Sequence, residues 1–367
     1  MLSNPAYHAL SGASLELISF HDLAGWAQDD HHAAFQTFLK SAAAEYERRP
    51  ELRPALKRPE HFYLFAEKAL ADATTDPRAF FEKRFTPYFV KPQNGRGFLT
   101  GYYEPEISGS LERSADFPVA VLGRPHDLVT FDPQTRPSAF SESGLSAARQ
   151  TDKGLEPYFD RAAIEDGALA SRGLELLYLP DEVELFFAQV QGSARIRLPD
   201  GTLKRLTYAG RNGHPYTTIA KVIREEGHMA LEEINLLSLK AWLRANPEEA
   251  KRIMRLNRSY IFFSLSENLS EAEGPIGAAS LPLTAGRSIA IDRQQWCYGL
   301  PFFIRAKLPD ERGGLSDFSR LMVAQDTGSA ILGAARADLF IGSGDQAGIQ
   351  AGLIRHPGDF VVLIAKG

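Results

Sequence analysis

Leu321-Met322-Val323-Ala324-Gln325-Asp326-Thr327-Gly328-Ser329, with Ala337-Asp338-Leu339-Phe340-Ile341-Gly342 shortly after it, decides how this chain is read. Each half predicts a short apolar strand with an aspartate at its edge. Upstream, Ser288-Ile289-Ala290-Ile291 runs in the same way into Asp292. Gly328 and Gly333 lie between Asp326 and Asp338, and Gly342, Gly344 and Gly348 follow, so the backbone can approach closely or adopt positive φ. Among such turns and apolar walls a carboxyl pKa can be raised, because desolvation favours the neutral acid. The competing use of such aspartates is to cap turns by bonding local amides. Asp326-Thr327-Gly328-Ser329 also matches the tetrapeptide of aspartic peptidases, whose chemistry needs two such aspartates sharing a proton. No second copy occurs in this chain, so a peptidase reading requires a homodimer.

Outward from this stretch, strands are predicted at Tyr260–Ser264, Pro301–Lys307 and Phe360–Ala365. The N-terminal hundred residues read mainly as helix. Asp29 and Asp30 precede the stripe Phe35, Phe38, Leu39, Ala42 and Tyr46, a second candidate runs from about Pro59 to Ala71, and Asp76-Pro77 opens a third through Phe85. Gly97 to Tyr103 reads as a strand, and 108–154 as loops with short strands such as Val119–Leu122. A hairpin is expected from Phe186–Leu198 through Pro199-Asp200-Gly201 to Thr202–Tyr208. Helices are expected at Tyr216–Glu226, at Leu236–Ala245 and after Asn246-Pro247-Glu248-Glu249. This order lacks regular βαβ alternation, so the fold class is α+β with a mainly β core and two β units.

The hairpin reading puts Gln189, Gln191 and Ser193 on one strand face, as neutral donors and acceptors suited to sugar hydroxyls and acetamido groups. Tyr102 and Tyr103 add flat apolar faces with polar tips. The same alternation also describes a solvent-facing strand. Glu104 and Glu106 flank Pro105, where solvated carboxylates are ordinary, and His31 and His32 open a helix without further ligands spaced to complete a metal site.

Composition narrows the class. The 367 residues allow two or three domains, and 44% hydrophobic against 24% charged residues describes a folded chain. Lys plus Arg number 41 and Asp plus Glu 46, a formal charge of -5 without long runs of either sign, so no basic face is available for nucleic acid. The single Cys297 excludes an internal disulfide and any zinc site built on several thiolates. No run of about 18 apolar residues is present to span a bilayer. The first basic residue is Lys40, so neither an export signal nor a lipid-accepting cysteine is expected near the start.

Taken together, the motifs resemble the membrane-bound lytic murein transglycosylase A family, whose C-terminal portion is the three-aspartate domain. The matching stretches are Thr100-Gly101-Tyr102-Tyr103-Glu104-Pro105, Gln189-Val190-Gln191-Gly192-Ser193, Tyr208-Ala209-Gly210-Arg211-Asn212-Gly213-His214-Pro215-Tyr216, Asn257-Arg258-Ser259-Tyr260-Ile261-Phe262-Phe263, Gly274-Pro275-Ile276-Gly277-Ala278, and Val323 through Gly348, in collinear order. The resemblance implies a double-psi β-barrel domain with N-terminal helices from 1–105 and 240–367. It implies a second, inserted β-barrel domain at 106–239, with a glycan groove between the two. It further implies cleavage of the β-1,4 link between N-acetylmuramic acid and N-acetylglucosamine to a 1,6-anhydro product. Asp338 matches the family's catalytic acid and base, and Asp326 and Asp292 match the other two named aspartates. Thr100, Tyr102, Tyr103, Gln191, Ser193 and Asp292 are the expected substrate contacts, and Asp326 is expected to support catalysis. One carboxyl can suffice, because the sugar's own C6 hydroxyl is the nucleophile, and no metal or organic cofactor is required. The expected partners are peptidoglycan glycan strands and proteins of cell-wall synthesis or division, with the chain a monomer in the periplasm, associated with the outer membrane. The alternatives are a non-catalytic glycan-binding module on the same scaffold and a homodimeric aspartic peptidase using Asp326.

Overall fold

The computed structural model describes residues 10–58, 71, 76–131, 136–230, 233–266, 273–309 and 314–366. The chain divides into two compact units, one from Met1–Tyr103, Glu271–Gly342 and Gln346–Gly367, the other from Glu104–Ser270 and Ser343–Asp345.

The first unit is built on one mixed sheet that closes on itself. Its order is Ala13–Leu17, Phe85–Pro92, Arg355–Ala365, Pro301–Pro309, Leu315–Asp326, Ser288–Ile291, Arg336–Ser343 and Gly97–Glu104, and the last strand pairs back with Arg355–Ala365. Closure runs from Arg355↔Thr100 to Gly358↔Gly97 and makes a ring of six strands, the barrel that the resemblance implies. Closure gives every strand of the ring two neighbours and leaves Ala13–Leu17, outside the ring, as an edge of the sheet. Ser288–Ile291 is buried along its whole length, parallel to Leu315–Asp326 on one side and antiparallel to Arg336–Ser343 on the other. Strands buried on both faces read as unbroken apolar runs, which is why this one shows no alternation.

Against the ring packs the helix His31–Tyr46, N-capped by Asp30, whose carboxylate accepts from the Ala33 amide at 3.0 Å. Phe35 and Phe38 meet Phe80, Phe81 and Phe85 in a cluster of tilted and edge-on rings. The apolar stripe stops short of Tyr46, which is exposed. The Asp76-Pro77 signal opens a helix at Pro77–Arg84, as expected. The expected helix from Pro59 to Ala71 lies, Ala71 apart, outside the described residues.

The second unit holds a four-stranded sheet, Ile261–Ser266, Leu203–Arg211, Ser193–Arg197 and Glu106–Ser108 in that order. A two-stranded and a three-stranded sheet accompany it. Bridges Ser110↔Tyr178 and Gly123↔Phe263 tie the sheets together. The helices Glu182–Gln191, Ile219–Glu225, Leu236–Ala245 and Pro247–Leu256 share an apolar core through Val183, Phe186, Ile223, Leu243 and Ile253. Residues 240–270, which the sequence reading placed with the barrel, cluster with this unit instead. The reason is visible in Leu243 and Ile253, whose partners Phe186 and Ile223 come from this unit.

The hairpin expected to begin at Phe186 does not form there. Phe186 through Gln191 belong to a helix, Gly192 ends it at φ 82°, and only then does the strand Ser193–Arg197 begin. Asp181 caps this helix, accepting from the Glu184 amide at 2.8 Å. The Asn212 side chain in the stretch Tyr208–Tyr216 is fully buried. It donates to Phe159 O and Arg258 O and accepts from the Tyr260 amide, which makes it a structural tie between segments.

Candidate active site

Twelve positions separate Asp326 from Asp338 (338 − 326), yet the short strand between them brings both beside one residue. Ala290 is in register with Asp338 on one side and Asp326 on the other. Cross-strand partners project from the same face of a sheet, so both carboxyl groups emerge together. Gly97–Glu104 adds Thr100 and Tyr102, two apart and hence on one face. Thr100 Oγ1 donates to Asp338 Oδ1 at 2.6 Å, and Tyr102 OH donates to Asp326 Oδ2 at 2.9 Å. The other oxygen of Asp326 accepts the Ala278 amide at 2.9 Å.

The Gly274-Pro275-Ile276-Gly277-Ala278 stretch delivers that amide. A Cβ on Gly277 would lie 2.7 Å from Gln325 O, so only glycine lets the segment come this close to the Asp326 strand. Gln325 is itself fixed, its amide nitrogen donating to Thr37 O and to Ser41 Oγ on the long helix. Behind the site, the Tyr102 ring lies 5.4 Å from Phe340.

Asp338 is partly accessible, and burial lifts its pKa to about 6. Thr100 and the Arg336 guanidinium oppose that lift, and the Asp326 charge adds to it. Burial also raises Asp326, against the pull of the Ala278 and Thr327 amides, Arg53 and Tyr102. The Tyr102 hydroxyl is held well above its ordinary pKa by burial and by both aspartates, so it stays a donor. An acid that titrates near neutrality beside an oriented carboxylate can give a proton and then take one back.

The other expected site residues fall elsewhere. Asp292 is buried, and its oxygens accept the Gln294 amide at 2.9 Å and the Gly333 amide at 2.7 Å, so it caps its turn. Tyr103 projects to the opposite face from Tyr102 and is buried against Gly348, where an added Cβ would lie 2.7 Å from its ring. Tyr103 thus faces away from Tyr102, and the Asp292 oxygens are engaged by turn amides. Gln191 ends a helix and Ser193 opens the following strand in register with Thr207, both in the second unit. Gln189 is buried and donates to Ile261 O at 3.0 Å, so the expected common strand face does not exist.

Glu104, expected in solvent, is fully buried. It is held by Arg195 at 3.0 Å, Arg205 at 2.7 Å and the Ser343 hydroxyl at 2.9 Å, while Glu106 pairs with Arg197. Sequence reading missed Arg336, whose spacing of two from Asp338 on a strand was the signal that put it on the acid's face. It also missed the Ala278 amide, which no side-chain pattern encodes. Among the described residues, Glu226, His228 and Glu249 lie within metal-ligand reach of one another. Arg252 already bridges the two carboxylates, which removes the charge a cation would need. As for the peptidase alternative, the carboxylate of Asp326 is bonded to Tyr102 and an amide, and Asp338 bonds Thr100, so the two acids share no hydrogen bond.

A closed mixed barrel carrying Asp326 and Asp338, with a second β unit inserted in its chain, fits the three-aspartate barrel class that the sequence resembles. Family models agree in position, the MltA specific insert domain matching residues 98–264 and the 3D domain residues 287–364. The chain belongs to the membrane-bound lytic murein transglycosylase A family. A crystal structure of the membrane-bound lytic murein transglycosylase from Agrobacterium tumefaciens is 37% identical. It superposes with a TM-score of 0.85, covering 96% of this chain and 98% of that one. MltA from Neisseria gonorrhoeae is 31% identical with a TM-score of 0.78, covering 98% and 94%. Membrane-bound lytic murein transglycosylase A of Vibrio cholerae is 36% identical over 203 residues, and that match spans 54% of each chain, about half the length of that relative. No helix among the described residues is long and apolar enough to cross a membrane.

Proposed function

We propose that the chain is a peptidoglycan lytic transglycosylase that cleaves the β-1,4 bond between N-acetylmuramic acid and N-acetylglucosamine through Asp338. The observation that carries this reading is one accessible acid poised near pH 6, beside an Asp326 whose oxygens are already bonded to Tyr102 and the Ala278 amide. Ordinary glycosidases use two free carboxyl groups, one of them to activate water or attack the sugar. Here protonated Asp338 gives its proton to the glycosidic oxygen as the C1–O bond breaks. Its carboxylate then takes the proton of the C6 hydroxyl while O6 bonds to C1, closing the 1,6-anhydro ring and restoring the acid. Asp326 supports the positive charge that develops between these steps, and holding C6-OH over C1 supplies proximity. Gln191 and Ser193 are retained as glycan contacts of the second unit. The substrate places the protein at the cell wall, in the periplasm and against the outer membrane, with cell-wall synthesis or division proteins as partners and the chain acting as a monomer.

Purified sacculi incubated with the protein should release 1,6-anhydro-muropeptides, and Asp338→Asn should release none. Products with free reducing ends, or an active Asn variant, contradict the proposal. Binding to sacculi without release would favour the glycan-binding alternative.

A further inference from the structure

Arg336 holds the Thr100 hydroxyl that Asp338 uses. Its Nη2 donates to Thr100 Oγ1 at 2.8 Å, its Nη1 to Ala337 O, and its guanidinium lies 5.5 Å from the centre of the Phe98 ring. An arginine has no acceptor, so in the Arg336–Thr100 contact the hydroxyl oxygen must accept. The single hydroxyl proton is then free for one partner only, and Asp338 Oδ1 lies 2.6 Å away. With Thr100 donating to Oδ1, the acid's own proton is left to Oδ2; the alternative, Oδ1–H donating into the second lone pair of the hydroxyl, would turn the hydroxyl proton away from the carboxyl group.

We propose that Arg336 is a positioning residue which, through Thr100, fixes Oδ2 of Asp338 as the oxygen that delivers and recovers the proton. The inference deepens the transglycosylase reading and rests on it for the identity of the proton's destination. Among the described residues, few titratable or charged groups face Asp338. Arg336 stands on its own strand, Thr100 and Tyr102 on Gly97–Glu104, and Asp326 lies across Ala290, which is the contribution of Ser288–Ile291. Both the Thr100 hydrogen bond and the Arg336 charge favour the ionised form, so loss of either moves the titration upward.

The test follows the Asp338 carboxyl carbon by NMR in the full chain carrying isotope-labelled aspartate, the signal being assigned by its absence from Asp338→Asn. Arg336→Gln and Thr100→Val should each raise the midpoint by about one pH unit, the low end for an opposite charge or bond beside a carboxylate. The double variant should rise by less than the sum, because one group acts through the other. Thr100→Ser, which keeps the hydroxyl, should titrate like the wild type, so the two Thr100 variants decide the matter even if Arg336→Gln fails to fold. An unmoved midpoint in folded Arg336→Gln, strict additivity, or equal midpoints for Thr100→Ser and Thr100→Val overturns the inference. The titration uses no substrate, so a wild type releasing no anhydro product defeats the function reading alone, leaving this result to be judged separately.

Discussion

At Asp338 burial outweighs two stabilising partners, and that balance has a thermodynamic consequence. The folded acid titrates at about 6 against an ordinary 3.8, so the folded chain holds this proton where the unfolded chain has released it. The group's stabilising contribution is complete below pH 3.8 and is lost as pH rises through 6. Asp338→Asn cannot ionise and escapes that loss. By urea unfolding it should be more stable than the wild type at pH 8, with an advantage about 1–1.5 kcal/mol larger there than at about pH 5. An advantage that does not change with pH would show that the acid is not held in this way. The residues themselves were legible because three aspartates at apolar strand edges among glycines are an unusual pattern. Arg336 was hidden by its ordinary appearance next to a strand, and Asp292 looked equivalent to the other two until its oxygens proved to be taken by turn amides.

Between elements, the site depends on segments lying closer than side chains normally permit. Gly277 lets residues 274–278 approach the Leu315–Asp326 strand, and that approach brings the Ala278 amide to Asp326. Gly277→Ala would push a Cβ to 2.6 Å from Leu283 and 2.7 Å from Gln325 O, and backbone cannot yield as a side chain can. The expected cost is about 1–3 kcal/mol of stability, with transglycosylase activity falling further than the stability loss explains, measured by denaturation alongside product release. Unaltered activity would show that the amide is dispensable to Asp326. The misread element shows where periodicity fails. Phe186 to Ser193 alternates well enough for a strand, yet Asp181 and Gly192 write a helix N-cap and C-cap at either end, and the caps are the decisive signal.

For the whole chain, the architecture is set by contacts between distant residues, which local patterns cannot disclose. Gly97–Glu104 closes the barrel against Arg355–Ala365, more than two hundred residues away in sequence. Collinear motifs pointed to that topology only through the resemblance, and the second unit's boundary fell near residue 270 because helices after 236 found their apolar partners there. Glu104 likewise gathers Arg195, Arg205 and Ser343 around a carboxylate with no solvent contact. Glu104→Gln removes the buried carboxylate that Arg195 and Arg205 share and should destabilise the fold by about 3–5 kcal/mol, read as a lowered urea midpoint. A midpoint within error of the wild type would mean that the cluster contributes specificity and not stability. Transglycosylase action through Asp338 requires that one acid serve both halves of an internal cyclisation with water excluded as reactant. Digestion of glycan strands in heavy-oxygen water, followed by mass spectrometry of the muropeptides, tests it most directly. The account predicts products one water lighter than the hydrolytic ones and free of heavy oxygen. Heavy oxygen at the new sugar terminus would contradict it.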